Sequence, residues 1–166
     1  MAMTRTPAAL KIRPATPDDA PLLVQLITEL ADYEKLRHEV TATADGIRHT
    51  LFGTHPFAEA LVAEWNREPA GFALFFHNYS TFLARPGIYL EDLFVRPAFR
   101  GHGIGLHLLK ELARIAEERG CPRLDWQVLD WNKPAIDFYD RLGATARRDW
   151  LSYRLSGDAL RTLSES

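Results

Sequence analysis

The chain has 166 residues, of which 46% are hydrophobic and 25% are charged. This composition predicts one folded domain over residues 1–166 and argues against an intrinsically disordered chain. Its formal net charge of -2 at pH 7 excludes the strong positive field of a typical nucleic-acid-binding protein. A single cysteine, Cys121, and the lack of a signal-peptide pattern or a membrane-length apolar run favour a soluble cytoplasmic protein with no disulfide and no membrane partner.

Helical and extended patterns alternate from residue 10 to about residue 160, which predicts an α/β fold. Thr16, followed by a proline and two aspartates, is typical of a helix start, and Gly120 with Pro122 is typical of a helix end. In chain order we predict a strand at 10–13, a helix after Thr16 that includes Leu23 to Leu30, a helix near 45–52, strands at 57–66 and 70–78 joined by the turn NREP, a strand at 87–95, a helix at 106–120, a strand at 123–129, a helix after Asn132 through Leu142, and a last strand at 150–156.

The stretch RGHGIG, Arg100 to Gly105, lies between the strand at 87–95 and the following helix. Glycines at such a junction let the backbone approach a ligand closely, and the free N–H groups of the first helical turn attract anions, most often phosphate. A simple turn needs only one glycine. A dinucleotide-binding fingerprint needs glycine in place of Leu106, and a P-loop needs Gly-Lys-Ser/Thr, so the sequence favours another kind of phosphate site.

Residues 89–112, YLEDLFVRPAFRGHGIGLHLLKEL, resemble the acetyl-CoA-binding core of the GNAT acyltransferase superfamily. More narrowly, the chain resembles the diamine (spermidine/spermine) N-acetyltransferase family. The matching motifs, in order, are IRPAT (12–16), ELADYE (29–34), HPF (55–57), LVAE (61–64), YLED (89–92), RGHGIG (100–105) and WNKPAIDFYDRLGA (131–144). The resemblance implies the GNAT fold, a mixed twisted sheet flanked by helices, with acetyl-CoA in a splay between central strands.

The resemblance also implies which residues hold acetyl-CoA, with no metal. The pantetheine arm would bond to the backbone of Leu93, Phe94 and Val95. Arg100 would supply positive charge near the pyrophosphate, and Asn132 would contact the cofactor as well as capping its helix. The pyrophosphate would lie on the main-chain N–H groups of Gly101, His102, Gly103, Ile104, Gly105 and Leu106.

Acetylation of an amine requires that an alkylammonium, with a pKa of roughly 10.4, lose a proton. Glu91 and Asp92, at the end of a strand, can bind the cation, and a carboxylate there can accept its proton directly or through water. Because adjacent strand residues point to opposite faces, we expect different roles for the two. The resemblance assigns Glu91 to the amine and Asp92 to support, and it places Glu34 and Trp150 in the amine pocket.

Tyr139 alone would be read as a core tyrosine, since it follows helical apolar spacing. By resemblance it is the general acid that protonates the departing CoA thiolate. The histidines and Cys121 are predicted to be surface or packing residues.

The sequence thus predicts an N-acetyltransferase that moves an acetyl group from acetyl-CoA to a primary amine of a small polyamine, diamine or lysine-like molecule, by direct attack in a ternary complex. A protein or peptide N-acetyltransferase and a non-catalytic CoA-binding module remain as alternatives. The short NREP hairpin and Leu142, where a basic residue is common, depart from the family pattern near surfaces that could influence substrate choice. The resemblance and the apolar run FFHNYSTF (75–82) predict a homodimer.

Overall fold

The computed structural model describes residues 9–166. The described residues divide into two units, 9–127 and Val128–Ser166. In chain order, the helices and strands are β1 Leu10–Pro14, α1 Ala20–Tyr33, α2 Ala44–Phe52, β2 Glu59–Trp65, β3 Glu68–Ser80, β4 Arg85–Val95, α3 Ile104–Glu118 and β5 Leu124–Trp126 in the first unit, and α4 Lys133–Arg141 and α5 Gly157–Glu165 in the second.

The first unit is built on one five-stranded sheet with the strand order β1-β2-β3-β4-β5. The first four strands pair antiparallel, and β5 pairs parallel with β4. The mixed sheet with flanking helices that the sequence predicted is therefore confirmed. Asn66 and Arg67, both with positive φ, form the tight turn between β2 and β3.

Helices α1 and α2 cover one face of this sheet. Val62, Phe72 and Phe94 lie opposite one another on neighbouring strands and pack against apolar residues of α1 and α2. Val95, the next residue of β4, lies on the other face, towards Gly105 of α3. The sheet is thus covered on both faces, which holds β4 and the start of α3 in a fixed relation.

The predicted strand at 150–156 is wrong, because the structure has no strand there. Its apolar residues, including Trp150, Leu151 and Tyr153, are exposed. An alternating pattern forms a strand only where a neighbouring strand accepts its hydrogen bonds, and within residues 9–166 this segment has none. For the same reason the predicted strand at 123–129 shortens to β5, which pairs with β4 over three residues. Helix α5 follows the segment and was not predicted.

Candidate active site

The strands β4 and β5 separate near the middle of β4. Their last paired residues are Leu90 and Trp126. Beyond this point, the edge of β4 that faces β5 has no strand partner within the described part of the chain. The segment Leu93–Val95 lies on this open edge, so its backbone can bond to a ligand that runs beside it like an extra strand.

The glycine loop between β4 and α3 is open on its outer side. Gly101 and Gly103 have φ angles of 82° and 76°, which side chains disfavour. A Cβ at Gly101 would have no described atom within 4 Å, and one at Gly103 would lie 3.9 Å from the His107 ring. Helix α3 begins directly after Gly103, so the N–H groups from Gly103 to Leu106 have no acceptor within the helix. A loop with this geometry can bind an anion, and the anion site stays a prediction.

Two side chains of this loop turn towards neighbouring elements. The Arg100 Nε donates a hydrogen bond to the Val95 carbonyl oxygen at 3.0 Å, and its guanidinium lies 5.1 Å from the Tyr33 ring centroid. Arg100 borders a cavity of about 340 Å³ between α1 and the end of β4, which is lined also by Glu29, Asp32, Tyr33, Phe94 and Pro97. The His102 ring lies 4.4 Å from the Trp65 ring, so its side chain is held against β2.

A β-bulge in β4 positions the predicted carboxylates. Tyr89 lies opposite Phe76 and Asp92 lies opposite Leu74, which leaves Glu91 as the extra residue. Phe76 and Leu74 are two residues apart on β3, so Tyr89 and Asp92 share one face of the sheet. The strict alternation from which we expected opposite directions for Glu91 and Asp92 is therefore broken here.

The environment of Asp92 is poor for a negative charge. Burial is the main cause that raises the pKa of Asp92 to about 7, and the charges of Glu91 and Glu34 raise it further. Glu34, at the C-terminal end of α1, is half-buried, and burial raises its pKa as well. Burial, Glu91 and Asp125 raise the pKa of the Tyr89 hydroxyl. The first unit thus brings Glu34, Glu91 and Asp92 into one acidic cluster.

The second unit carries the remaining predicted site residues. Tyr139 lies half-buried on α4, with its ring centroid 5.5 Å from that of Phe138. Asn132 caps α4, because its Oδ1 accepts a hydrogen bond from the Ala135 N–H at 3.4 Å. The cap and the helix were both predicted. Trp150 lies in the segment without secondary structure.

Sequence reasoning missed two features of the first unit. The bulge has a signal in hindsight, because Glu91 and Asp92 are consecutive polar residues that interrupt the alternation of a half-buried strand. Tyr89 was missed because only the bulge places it on the same face of the sheet as Asp92. Within residues 9–166, no group of three or more histidine, cysteine, aspartate or glutamate residues is arranged to hold a metal. None of the helices described is both long and apolar enough to cross a bilayer.

Comparison with known proteins shows which family the chain resembles. The pattern of the acetyltransferase (GNAT) family matches residues 23–144. The chain is 39% identical over 168 residues to a thialysine N-epsilon-acetyltransferase of Mus musculus, covering 95% of this chain and 98% of that protein. It is 34% identical over 200 residues to an L-ornithine N5-acetyltransferase of Arabidopsis thaliana, covering 93% and 88%. A solved integron cassette protein of V. cholerae superposes with a TM-score of 0.81 at 29% identity, covering 96% of this chain and all of that one.

Proposed function

Because the chain belongs to the acetyltransferase (GNAT) family, we propose that it transfers the acetyl group of acetyl-CoA to a primary amine of a small polyamine, diamine or lysine-like molecule. The observation that carries this proposal is the acidic cluster. Two of its members, Glu91 and Asp92, lie on the strand whose open edge and following glycine loop suit acetyl-CoA. The relatives named for thialysine and ornithine support a short substrate with a primary amine at its end.

Acetyl-CoA is the co-substrate. The open edge of β4 at Leu93, Phe94 and Val95 suits the amides of the pantetheine arm. The N–H groups of Gly103 to Leu106 have no acceptor within α3 and suit the pyrophosphate, with the positive end of the α3 dipole behind them, and we assign the N–H groups of Gly101 and His102 to the same site. We assign Arg100 to charge compensation beside this loop, and Asn132 to a cofactor contact in addition to its cap.

The acidic cluster is suited to bind and deprotonate the substrate ammonium, which cannot attack acetyl-CoA while it carries its extra proton. An alkylammonium with a pKa of roughly 10.4 is only about one part in a thousand neutral near pH 7.4, which costs about 4 kcal/mol before attack. Carboxylates bind the cation and take its proton, the role that the sequence predicted for Glu91. Glu34 and Trp150 contribute a charge and an aromatic face to the same amine.

Transfer then proceeds by direct attack. The neutral nitrogen forms a bond to the acetyl carbonyl carbon, and the carbon–sulfur bond breaks as the tetrahedral intermediate collapses. Tyr139 donates its hydroxyl proton to the departing thiolate. From the family resemblance we also propose that the protein is a homodimer. Its cytoplasmic location stays a prediction.

A thiol-release screen tests this function. The protein is mixed with acetyl-CoA and, in turn, thialysine, ornithine, lysine, spermidine, an aminoglycoside and a lysine-containing peptide. We expect amine-dependent CoA release with the short diamines and amino acids, and an N-acetylated product by mass spectrometry. Preference for the peptide would favour a protein acetyltransferase. Tight acetyl-CoA binding without release for any amine would favour a non-catalytic module.

A further inference from the structure

The carbonyl group of Val95 points to the open edge of β4. The next residue, Arg96, donates its N–H to the Ala70 carbonyl oxygen at 2.8 Å, so the polar backbone groups of Arg96 face β3. The Phe94 carbonyl also faces β3, since a Cβ at Gly71 would lie 2.3 Å from its oxygen. Because successive residues of a strand turn their N–H and C=O groups to opposite edges, those of Val95 point away from β3. They face the edge that has no strand partner there within the described part of the chain.

The side chain of Arg100 bonds to this same carbonyl. Its Nε donates a hydrogen bond to the Val95 oxygen at 3.0 Å. A pantetheine arm that runs beside Leu93–Val95 like an extra strand would lie about 4.8 Å from β4, with an amide N–H directed at the same oxygen. A guanidinium nitrogen bonded to that oxygen stands within this space. The Arg100 side chain and a pantetheine amide therefore compete for the Val95 carbonyl.

The other contacts of Arg100 leave its guanidinium able to change partner. It lies 5.1 Å from the Tyr33 ring centroid and 5.9 Å from the Phe94 ring centroid, which places it beside α1. Arg100 is exposed, and an exposed hydrogen bond to a neutral carbonyl contributes little to stability. Bonds between a guanidinium and a phosphate are charge-assisted at both ends and stronger. A phosphate bound at the glycine loop can therefore draw the guanidinium away from Val95.

We propose that Arg100 selects CoA thioesters against pantetheine thioesters that carry no phosphate. The pyrophosphate of CoA takes the guanidinium from the Val95 carbonyl, and this exchange frees the carbonyl for a pantetheine amide. A thioester without phosphates must break the bond between Arg100 and Val95 and offers the guanidinium nothing in return. This inference rests on the proposed function, because it takes acetyl-CoA as the co-substrate and the open edge of β4 as the place of its pantetheine arm.

Calorimetry with CoA and with pantetheine, in the absence of any amine, tests this exchange. Arg100→Met keeps an unbranched side chain beside Tyr33 but has neither the donor nor the charge. We expect its affinity for CoA to fall by about tenfold or more, because the pyrophosphate loses a charge-assisted partner. Its affinity for pantetheine should rise by about threefold to tenfold, because no bond to the Val95 carbonyl has to be broken.

Arg85→Met is the matched control. Arg85 is the exposed first residue of β4, so the variant removes the same charge from the opposite end of the strand. It should change neither affinity by more than about twofold, because salt screens charges over the length of the strand.

Only opposite changes in the two affinities support the proposal. An unchanged affinity for pantetheine would leave Arg100 as a charge for the phosphates, and a fall in both affinities would make it a structural support of the loop; either result overturns the selection. If pantetheine binds too weakly for calorimetry, kcat/KM with S-acetylpantetheine replaces its affinity, with the same expectation, and Arg100→Ala replaces Arg100→Met if that variant does not fold.

The same experiments separate this inference from the proposed function. Opposite changes in a protein that acetylates no amine would contradict the proposed function alone. Amine acetylation by the wild type, with changes in the same direction for both ligands in Arg100→Met, would contradict the role of Arg100 alone.

Discussion

At the scale of single residues, the folded state disfavours the charged form of Asp92 in the acidic cluster. Asp92 has its pKa raised from 3.8 to about 7, chiefly by burial. The sequence could place Glu91 and Asp92 at a strand end, because the motif YLED marks them. It could not show which of the two is buried, because burial depends on a one-residue bulge in the pairing with β3.

The first prediction concerns stability. Because the folded state holds the Asp92 proton more tightly than the unfolded chain does, the contribution of Asp92 to stability falls as pH rises between about 4 and 7, by at most about 4 kcal/mol. Asp92→Asn should therefore be more stable than the wild type at pH 8, by a larger margin than at pH 5. Urea unfolding at the two pH values measures this margin. The exposed Asp130 provides a matched control, and equal margins for Asp92→Asn at both pH values would count against the raised pKa.

The second prediction concerns Tyr139. Tyr139→Phe keeps the ring beside Phe138 but loses the proton, so kcat should fall by about 10²-fold while the affinity for acetyl-CoA changes little. High pH should not restore the rate, because alkaline solution does not help to protonate a thiolate. Steady-state kinetics with an identified amine provide the measurement. Turnover like that of the wild type would leave Tyr139 as a packing residue.

At the scale of elements, the junction between β4 and α3 combines an open strand edge with an open helix start. Both features arise within the first unit, from the end of the β4–β5 pairing at Leu90 and from the positive φ of Gly101 and Gly103. The sequence predicted the glycine loop because glycine tolerates positive φ and lets the backbone approach a ligand closely. Helix α3 was equally predictable from its apolar period.

The last predicted strand failed for a different physical reason. The segment at 150–156 has a pattern that suits a strand, but pairing depends on a neighbour that no local pattern reveals. By contrast, β2 and β3 are neighbours in sequence and joined by a tight turn, so their pairing could be predicted. Strands that pair with a neighbour in sequence were thus predicted, whereas pairing between distant segments was not.

The third prediction tests the glycine loop. Gly103→Val introduces a side chain at a φ of 76°, so it should lower both stability and CoA affinity. Gly120→Val is a matched control at the other end of α3, since Gly120 has a φ of 68° and a Cβ there, like one at Gly103, would meet no atom closer than 3.9 Å. Both variants should lose similar stability, but only Gly103→Val should lose CoA affinity by at least about tenfold. Equal affinities in calorimetry would remove the pyrophosphate assignment.

At the scale of the whole molecule, the hairpin of β3 and β4 extends beyond Glu59, the first residue of β2. The last β3 residue paired with β2 is Phe75, so the two strands continue as a ribbon to the turn near Phe82. Phe82 is fully exposed, and Tyr79 and Leu83 are exposed beside it. This apolar tip coincides with the run FFHNYSTF on which the predicted homodimer partly rested.

The fourth prediction is that the protein is a dimer at micromolar concentration and that Phe82→Ser weakens it. The change removes an exposed apolar side chain at the turn and should leave the fold intact. Phe57→Ser, at a position that is also exposed but lies before β2, serves as the control. Light scattering that reports only monomers for the wild type would reject the dimer.

The central claim is direct transfer of the acetyl group from CoA to an amine nitrogen, and a single-turnover experiment tests it. Excess protein is incubated with acetyl-labelled acetyl-CoA, and thialysine, ornithine or spermidine is added afterwards. We predict that the label stays on CoA until the amine is added, and that N-acetylamine and free CoA then form in equal amounts. Label bound to the protein, or released as acetate without an acetylated amine, would contradict the account.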